Sequence, residues 1–150
     1  MNKASTADPD DRSIAIALYN RAQDLYQVER TPEQDQEMLD ASLTSRRHWQ
    51  LVGGPQQFAI ADWMVSRSYV QLNDPVSAIE YALVSLSHDQ KEFPAWLKAS
   101  IYEGLALAYR SAGNTPEFDR YKGLALDALS LETDPEDKGF IAGQIAGLSS

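Results

Sequence analysis

Apolar residues recur every three to four positions along most of this chain, the period of helices that turn one face toward a core. No stretch alternates apolar and polar residues for long, and β-branched residues are sparse, so strands are not expected. Ile14, Leu18, Ala22 and Leu25 mark a first helix over about residues 10–29, opened by Asp8-Pro9-Asp10-Asp11, whose carboxylates suit the positive end of a helix dipole. Thr31-Pro32-Glu33 reads as cap, first-turn proline and acidic first turn of a second helix carrying Met38, Leu39 and Trp49, which Gly53-Gly54-Pro55 stops. A third helix over about 56–72 holds Phe58, Ala59, Trp63, Ser66 and Tyr69, and Asn73-Asp74-Pro75 turns the chain into a fourth over about 76–87. The polar run 88–92 leads to a fifth helix over about 94–112, ended by Gly113-Asn114. Thr115-Pro116-Glu117 repeats the opening of the second helix and starts a sixth through Tyr121 and Leu129. Thr133-Asp134-Pro135-Glu136 begins a short seventh with an apolar side of Phe140, Ile141, Ile145 and Leu148.

A shift of forty residues superimposes Tyr69 on Tyr109, Tyr81 on Tyr121, Ser66 on Ala106, Asp74 on Asn114 and Leu86 on Leu126. A period of this size is the mark of stacked supersecondary units, each too small to bury its own apolar face. The expected fold is therefore all-α: about seven helices in stacked antiparallel hairpins, closed by a C-terminal capping helix. One domain over 1–150 is expected, with 1–9 a flexible N-terminal tail. Glycines at 104, 123, 139, 143 and 147 fall inside helical patterns, where each costs ~1 kcal/mol against alanine unless close packing offsets it.

With Tyr69 or Tyr109 at the first-helix tyrosine, a small residue stands three earlier (Ser66, Ala106) and a large one just before that (Val65, Leu105). Ala78 follows Tyr69 by nine positions, while Phe118 holds that place after Tyr109. Over about 56–131 this resembles tetratricopeptide repeats, with the later unit a degenerate copy, and the resemblance implies a right-handed superhelix. The chain is also similar to an uncharacterised bacterial group of tetratricopeptide-like proteins. That likeness lies in Trp49 to Gly53, Pro55, Ala59, Trp63, Ser66 and Arg67, in Tyr102-Glu103-Gly104-Leu105-Ala106, and in Asp134 to Lys138; Trp96 and Lys98 depart from it. It implies a fold and no activity.

With 13 Lys+Arg against 22 Asp+Glu, the net charge of −9 opposes a nucleic-acid surface, which needs clustered cations. The absence of cysteine excludes disulfides, thiolate chemistry and cysteine-bound zinc. The two histidines, His48 and His88, lack ligand spacing, so neither metal nor cofactor is expected. No stretch reaches the ~20 apolar residues of a membrane span, and the first residues lack a secretory core, so the expected setting is the cytoplasm.

In a tetratricopeptide stack the first helix of each hairpin lines the concave face. That geometry places Ile60, Trp63, Arg67, Val70 and Gln71 there from one unit, and Ser100, Glu103, Leu107, Arg110 and Ser111 from the next. Tryptophan and arginine are frequent binding anchors. The expected function is a non-catalytic adaptor holding a protein or peptide in a groove of Trp63, Arg67, Gln71, Glu103, Leu107 and Arg110. Arg46, Arg47 and His48, beside Trp49, would extend the groove toward a partner's carboxylate or phosphate. In the opposing reading Trp63 is core, Arg67 pairs with Glu103 across the helix interface, and the basic run is a solvated helix face. Two rivals stand beside the adaptor. One is a small-molecule binder or enzyme using Asp62, Glu103 and His48 in a pocket between hairpins; the other is a homo-oligomer formed through exposed apolar faces.

Overall fold

The computed structural model describes residues 9–149, which form seven helices and no strand. They are α1 (Pro9–Tyr26), α2 (Pro32–Val52), α3 (Pro55–Gln71), α4 (Pro75–Ser87), α5 (Ala95–Ser111), α6 (Thr115–Leu129) and α7 (Pro135–Gly147). The tail expected over 1–9 lies, apart from Pro9 at the start of α1, outside the described residues. No helix among the described residues is long and apolar enough to cross a membrane.

Local chemistry sets most helix starts. Thr31 Oγ1 accepts from Gln34 N while the Gln34 side chain accepts from Thr31 N, a reciprocal capping box. Asp74 caps Ser77 N, Asn114 caps Glu117 N, and Asp134 caps both Glu136 N and Asp137 N. The sixth helix thus corrects its expected opening: Thr115 is already helical and Asn114 is the cap. The forty-residue alignment of Asp74 with Asn114 carried that information, and the local likeness to Thr31-Pro32 did not. The same shift relates Asn73 and Gly113, both left-handed with φ of 59° and 74°. It also relates the closing bonds Asp74 N→Tyr69 O and Asn114 N→Tyr109 O, each 3.0 Å.

α1 ends three residues before the periodicity predicts, because Arg30 folds back over its C-terminus. Its Nη1 donates to the carbonyls of Leu25 (2.7 Å) and Val28 (2.8 Å), groups a helix end leaves unpaired. Nε holds Asp35 at 2.7 Å and Nη2 holds Gln71 at 2.8 Å, so one guanidinium ties α1, α2 and the end of α3 together.

α1 packs on α2, α3 on α4 and α5 on α6, while α1, α3, α5 and α7 form a second set of neighbours, α1 meeting α3, α3 meeting α5 and α5 meeting α7. Among the described residues the backbones of α2, α4 and α6 do not approach one another. The recurring tyrosines are two copies of one device: Tyr69 stacks on Tyr81 and Tyr109 on Tyr121, each pair with centroids 5.7 Å apart. The larger apolar core runs from α3 to α7, and a smaller one joins Ala22, Leu25, Met38, Ala41, Trp63 and Met64. In α7, Ile141, Ile145 and Leu148 enter the core as expected, but Phe140 is 66% exposed. It sits about 100° around the helix from Ile141, off the stripe that meets α5 and α6.

Candidate functional site

Every residue from Ala61 to Ser68 is buried, so α3 is covered on all sides and its two flanks make separate sites. One flank carries Asp62 and Ser66. Ser66 Oγ donates to Ala78 O at 2.7 Å, anchoring α3 to α4. Asp62, 1% exposed, accepts from Arg46 Nε through Oδ1, and His88 Nε2 lies 2.6 Å from its Oδ2. Phe58 packs on His88 with ring centroids 5.8 Å apart, and the Arg46 guanidinium lies 5.2 Å from the Tyr81 ring. This cluster fastens α2 and the segment after α4 to the middle of α3.

The other flank carries Trp63 and Arg67. Arg67 Nη1 donates to Glu103 Oε1 at 2.6 Å, and both residues are buried. The guanidinium lies 4.5 Å from the Trp63 ring and 5.0 Å from that of Tyr26, a sandwich that suits a delocalised cation. Burial by itself would lower the Arg67 pKa; the Glu103 carboxylate and the Tyr26 phenol outweigh it and hold the pKa above its ordinary value. Gly104 explains how the indole fits. A Cβ there would stand 2.7 Å from Trp63 Cδ1, so the ring lies directly on the α5 backbone. At Gly123, Gly139, Gly143 and Gly147 an added Cβ meets nothing within 4 Å. Trp63 Nε1 and Arg67 Nε are both buried without a hydrogen-bond partner.

Trp63 also lines a cleft of about 340 Å³ bounded by α1, α3, α5 and α7. Its apolar walls are Tyr19, Ile60, Trp63, Trp96, Phe140 and Ile141, and its polar groups include Gln23, Ser100, Gln144 and Asp137. Burial pushes the Tyr19 phenol up to about 12, with the nearby Arg67 charge pulling the other way. A second hollow of about 300 Å³ shares Gln23, Trp63, Phe140 and Gln144 and adds Tyr26 and Arg67.

The expected groove residues are distributed unevenly around this cleft. Ile60, Trp63 and Ser100 line it, and Arg67 reaches the adjoining hollow. Glu103 and Leu107 are buried, Gln71 is taken up by Arg30, and Arg110 Nη1 donates to Leu148 O at 2.5 Å, at the end of α7. The pairing of Arg67 with Glu103 that the opposing reading described is the arrangement present. Arg46, Arg47 and His48 diverge: Arg46 turns to Asp62, Arg47 is exposed and bonds Thr44 Oγ1 at 3.1 Å, and His48 Nδ1 lies 2.8 Å from Asp11 Oδ1. None of the three lines the cleft. Asp62, Glu103 and His48 therefore sit in three different side-chain pairings and do not converge.

Tyr19, Gln23, Trp96, Phe140 and Gln144 were not among the expected groove residues. The i, i+4 pair Tyr19 and Gln23 was a readable signal for a shared face. Placing α1 and α7 against the cleft required the tertiary arrangement, since the groove was drawn from the two repeat units alone. Searches against protein-family models, curated proteins and solved structures find no match for the chain.

Proposed function

We propose that the chain is a non-catalytic adaptor of tetratricopeptide-like build that binds a segment of another protein in the cleft between α1, α3, α5 and α7. The carrying observation is the cleft itself: aromatic and aliphatic walls around about 340 Å³, with a few amide and hydroxyl groups at its edge. An apolar anchor side chain fills such a space, and Gln23 and Gln144 offer both donor and acceptor to the backbone that carries it. The odd-numbered helices approach one another while the even-numbered ones do not, which supports a curved stack with the cleft on its inner side. In this reading Trp63 is the floor of the cleft and the Arg67–Glu103 pair is the strut beneath it.

The test is selection of short peptides from a random display library on wild-type protein and on Phe140→Ser. Phe140 is largely exposed, so its loss leaves the helical circular-dichroism signal in place. Enrichment of a motif with an apolar anchor, bound at least about tenfold more weakly by Phe140→Ser, supports the reading. Absence of a motif, or equal binding by the variant, removes it. A second reading is favoured by the cleft's volume, which sits at the lower end of the ~300–1,000 Å³ typical of small-molecule pockets. A small apolar ligand would then displace a solvatochromic dye from wild type without any peptide motif emerging.

A further inference from the structure

The cleft carries a marked charge asymmetry. Of the residues that line it, Asp137 alone is ionisable near neutral pH, and neither lysine, arginine nor histidine is among them. Asp137 occupies the first turn of α7, where Glu132, Asp134 and Glu136 surround it. Desolvation and then these three neighbours push its carboxyl pKa up, although the side chain is exposed at the rim. Lys138 follows in sequence, but it is exposed and does not line the cleft. The Arg67 cation in the adjoining hollow is committed to Glu103 at 2.6 Å. The whole chain, at −9, adds a long-range field of the same sign.

Geometry couples this carboxylate to the apolar walls. Asp137, Phe140, Ile141 and Gln144 stand at i, i+3, i+4 and i+7 of α7, so the carboxylate lies one helical turn from the Phe140 ring on the same face. Trp63, Trp96 and Tyr19 supply the remaining aromatic surface, and aromatic faces attract cations as well as apolar groups. An acidic occupant would be repelled by the exposed Asp137 carboxylate at the mouth of the apolar space. A cationic one neutralises it.

Resting on the peptide-binding reading above, we infer that the segment recognised by this cleft pairs an apolar or aromatic anchor with a lysine or arginine one or two residues away. The anchor enters between Trp63, Trp96 and Phe140, and the cation meets Asp137 at the rim. The recognition is the inverse of an anion clamp: the protein supplies the carboxylate and the partner supplies the base.

The same peptide selection, run on wild type and on Asp137→Asn, tests this inference separately from the reading it rests on. Asp134 is the α7 cap, so Asp137→Asn keeps the helix start, which a thermal melt checks. The expected outcome is enrichment of lysine or arginine beside the anchor on wild type, with the basic preference lost and the apolar anchor kept on Asp137→Asn. A synthetic peptide of the wild-type motif should bind the variant about threefold to fivefold more weakly at low salt, as expected for a solvent-exposed rim ion pair. Apolar anchors enriched without a basic neighbour, or a basic preference unchanged in Asp137→Asn, would overturn the inference while leaving the peptide-binding reading intact. Loss of all enrichment on wild type overturns both.

Discussion

Neutralising Glu103 tests whether Arg67 is a strut or a ligand-facing group. The two side chains meet at 2.6 Å with both residues buried, so removing the carboxylate charge strands a guanidinium without a counter-ion. At an effective dielectric constant of ~20, unit charges about 4 Å apart attract by ~4 kcal/mol, and breaking a buried pair from one side typically costs ~3–5 kcal/mol. Glu103→Gln keeps the stacking of Arg67 on Trp63 and Tyr26 and one possible hydrogen bond, which places the loss near the lower end, about 3 kcal/mol. Arg67→Met strands the carboxylate instead and forfeits the stacking, so it should cost as much or more. The double variant Arg67→Met/Glu103→Gln combines these two singles, removes both buried charges and should lose no more than about 3 kcal/mol, giving a coupling energy of ~3 kcal/mol or more. Urea unfolding followed by circular dichroism at constant m-value measures all four corners of the cycle. A Glu103→Gln loss below ~1 kcal/mol, with additive single effects, would refute the strut and return Arg67 to the set of groups free to meet a partner.

Two further predictions concern the walls of the cleft. Gly104→Ala puts a methyl 2.7 Å from the Trp63 ring and should destabilise by ~1–3 kcal/mol despite alanine's better helix propensity, whereas Gly123→Ala, in open space, should stabilise by ~0.5–1 kcal/mol. Opposite signs in parallel melts, with Trp63 emission altered only by the first substitution, are the expected result; equal signs would sink the close-packing account. Tyr19, with its folded pKa raised to about 12, retains its proton while the unfolded chain releases one near pH 10. Its contribution is therefore complete below pH 10 and is lost as pH rises toward 12, by about 3 kcal/mol at most. Tyr69 and Tyr109 are shifted in the same direction, so Tyr19→Phe should make the alkaline fall in stability shallower without abolishing it. Identical falls in both proteins from pH 9 to 12 would contradict this.

Much of the fold was legible because its signals are short in range. Proline in the first turn marks the starts of α2, α3, α4, α6 and α7, and a capping side chain acts within three residues of itself. The forty-residue recurrence of tyrosine was also visible, and it corresponds to two like ring stacks within successive hairpins. Gly104 was flagged as costly unless something packed against it, and Trp63 does. The end of α1 was misjudged, since apolar periodicity does not register a guanidinium that returns to satisfy the last carbonyls.

The chain alone thus determined that helices form, about where they begin, and that two hairpins share one pattern, because these properties depend on backbone chemistry and side chains within a turn or two. Only the tertiary structure decided what each polar side chain meets. Arg67 and Glu103 are 36 residues apart, His88 and Asp62 are 26, and His48 and Asp11 are 37. Such partners are chosen by which helix faces dock, and that choice is made by the burial of apolar stripes rather than by any attraction readable along the sequence. The cleft belongs to the same category: α1, α3, α5 and α7 each contribute a wall, and none of their own patterns distinguishes a residue that enters the core from one that stops at its edge, as the neighbours Phe140 and Ile141 do.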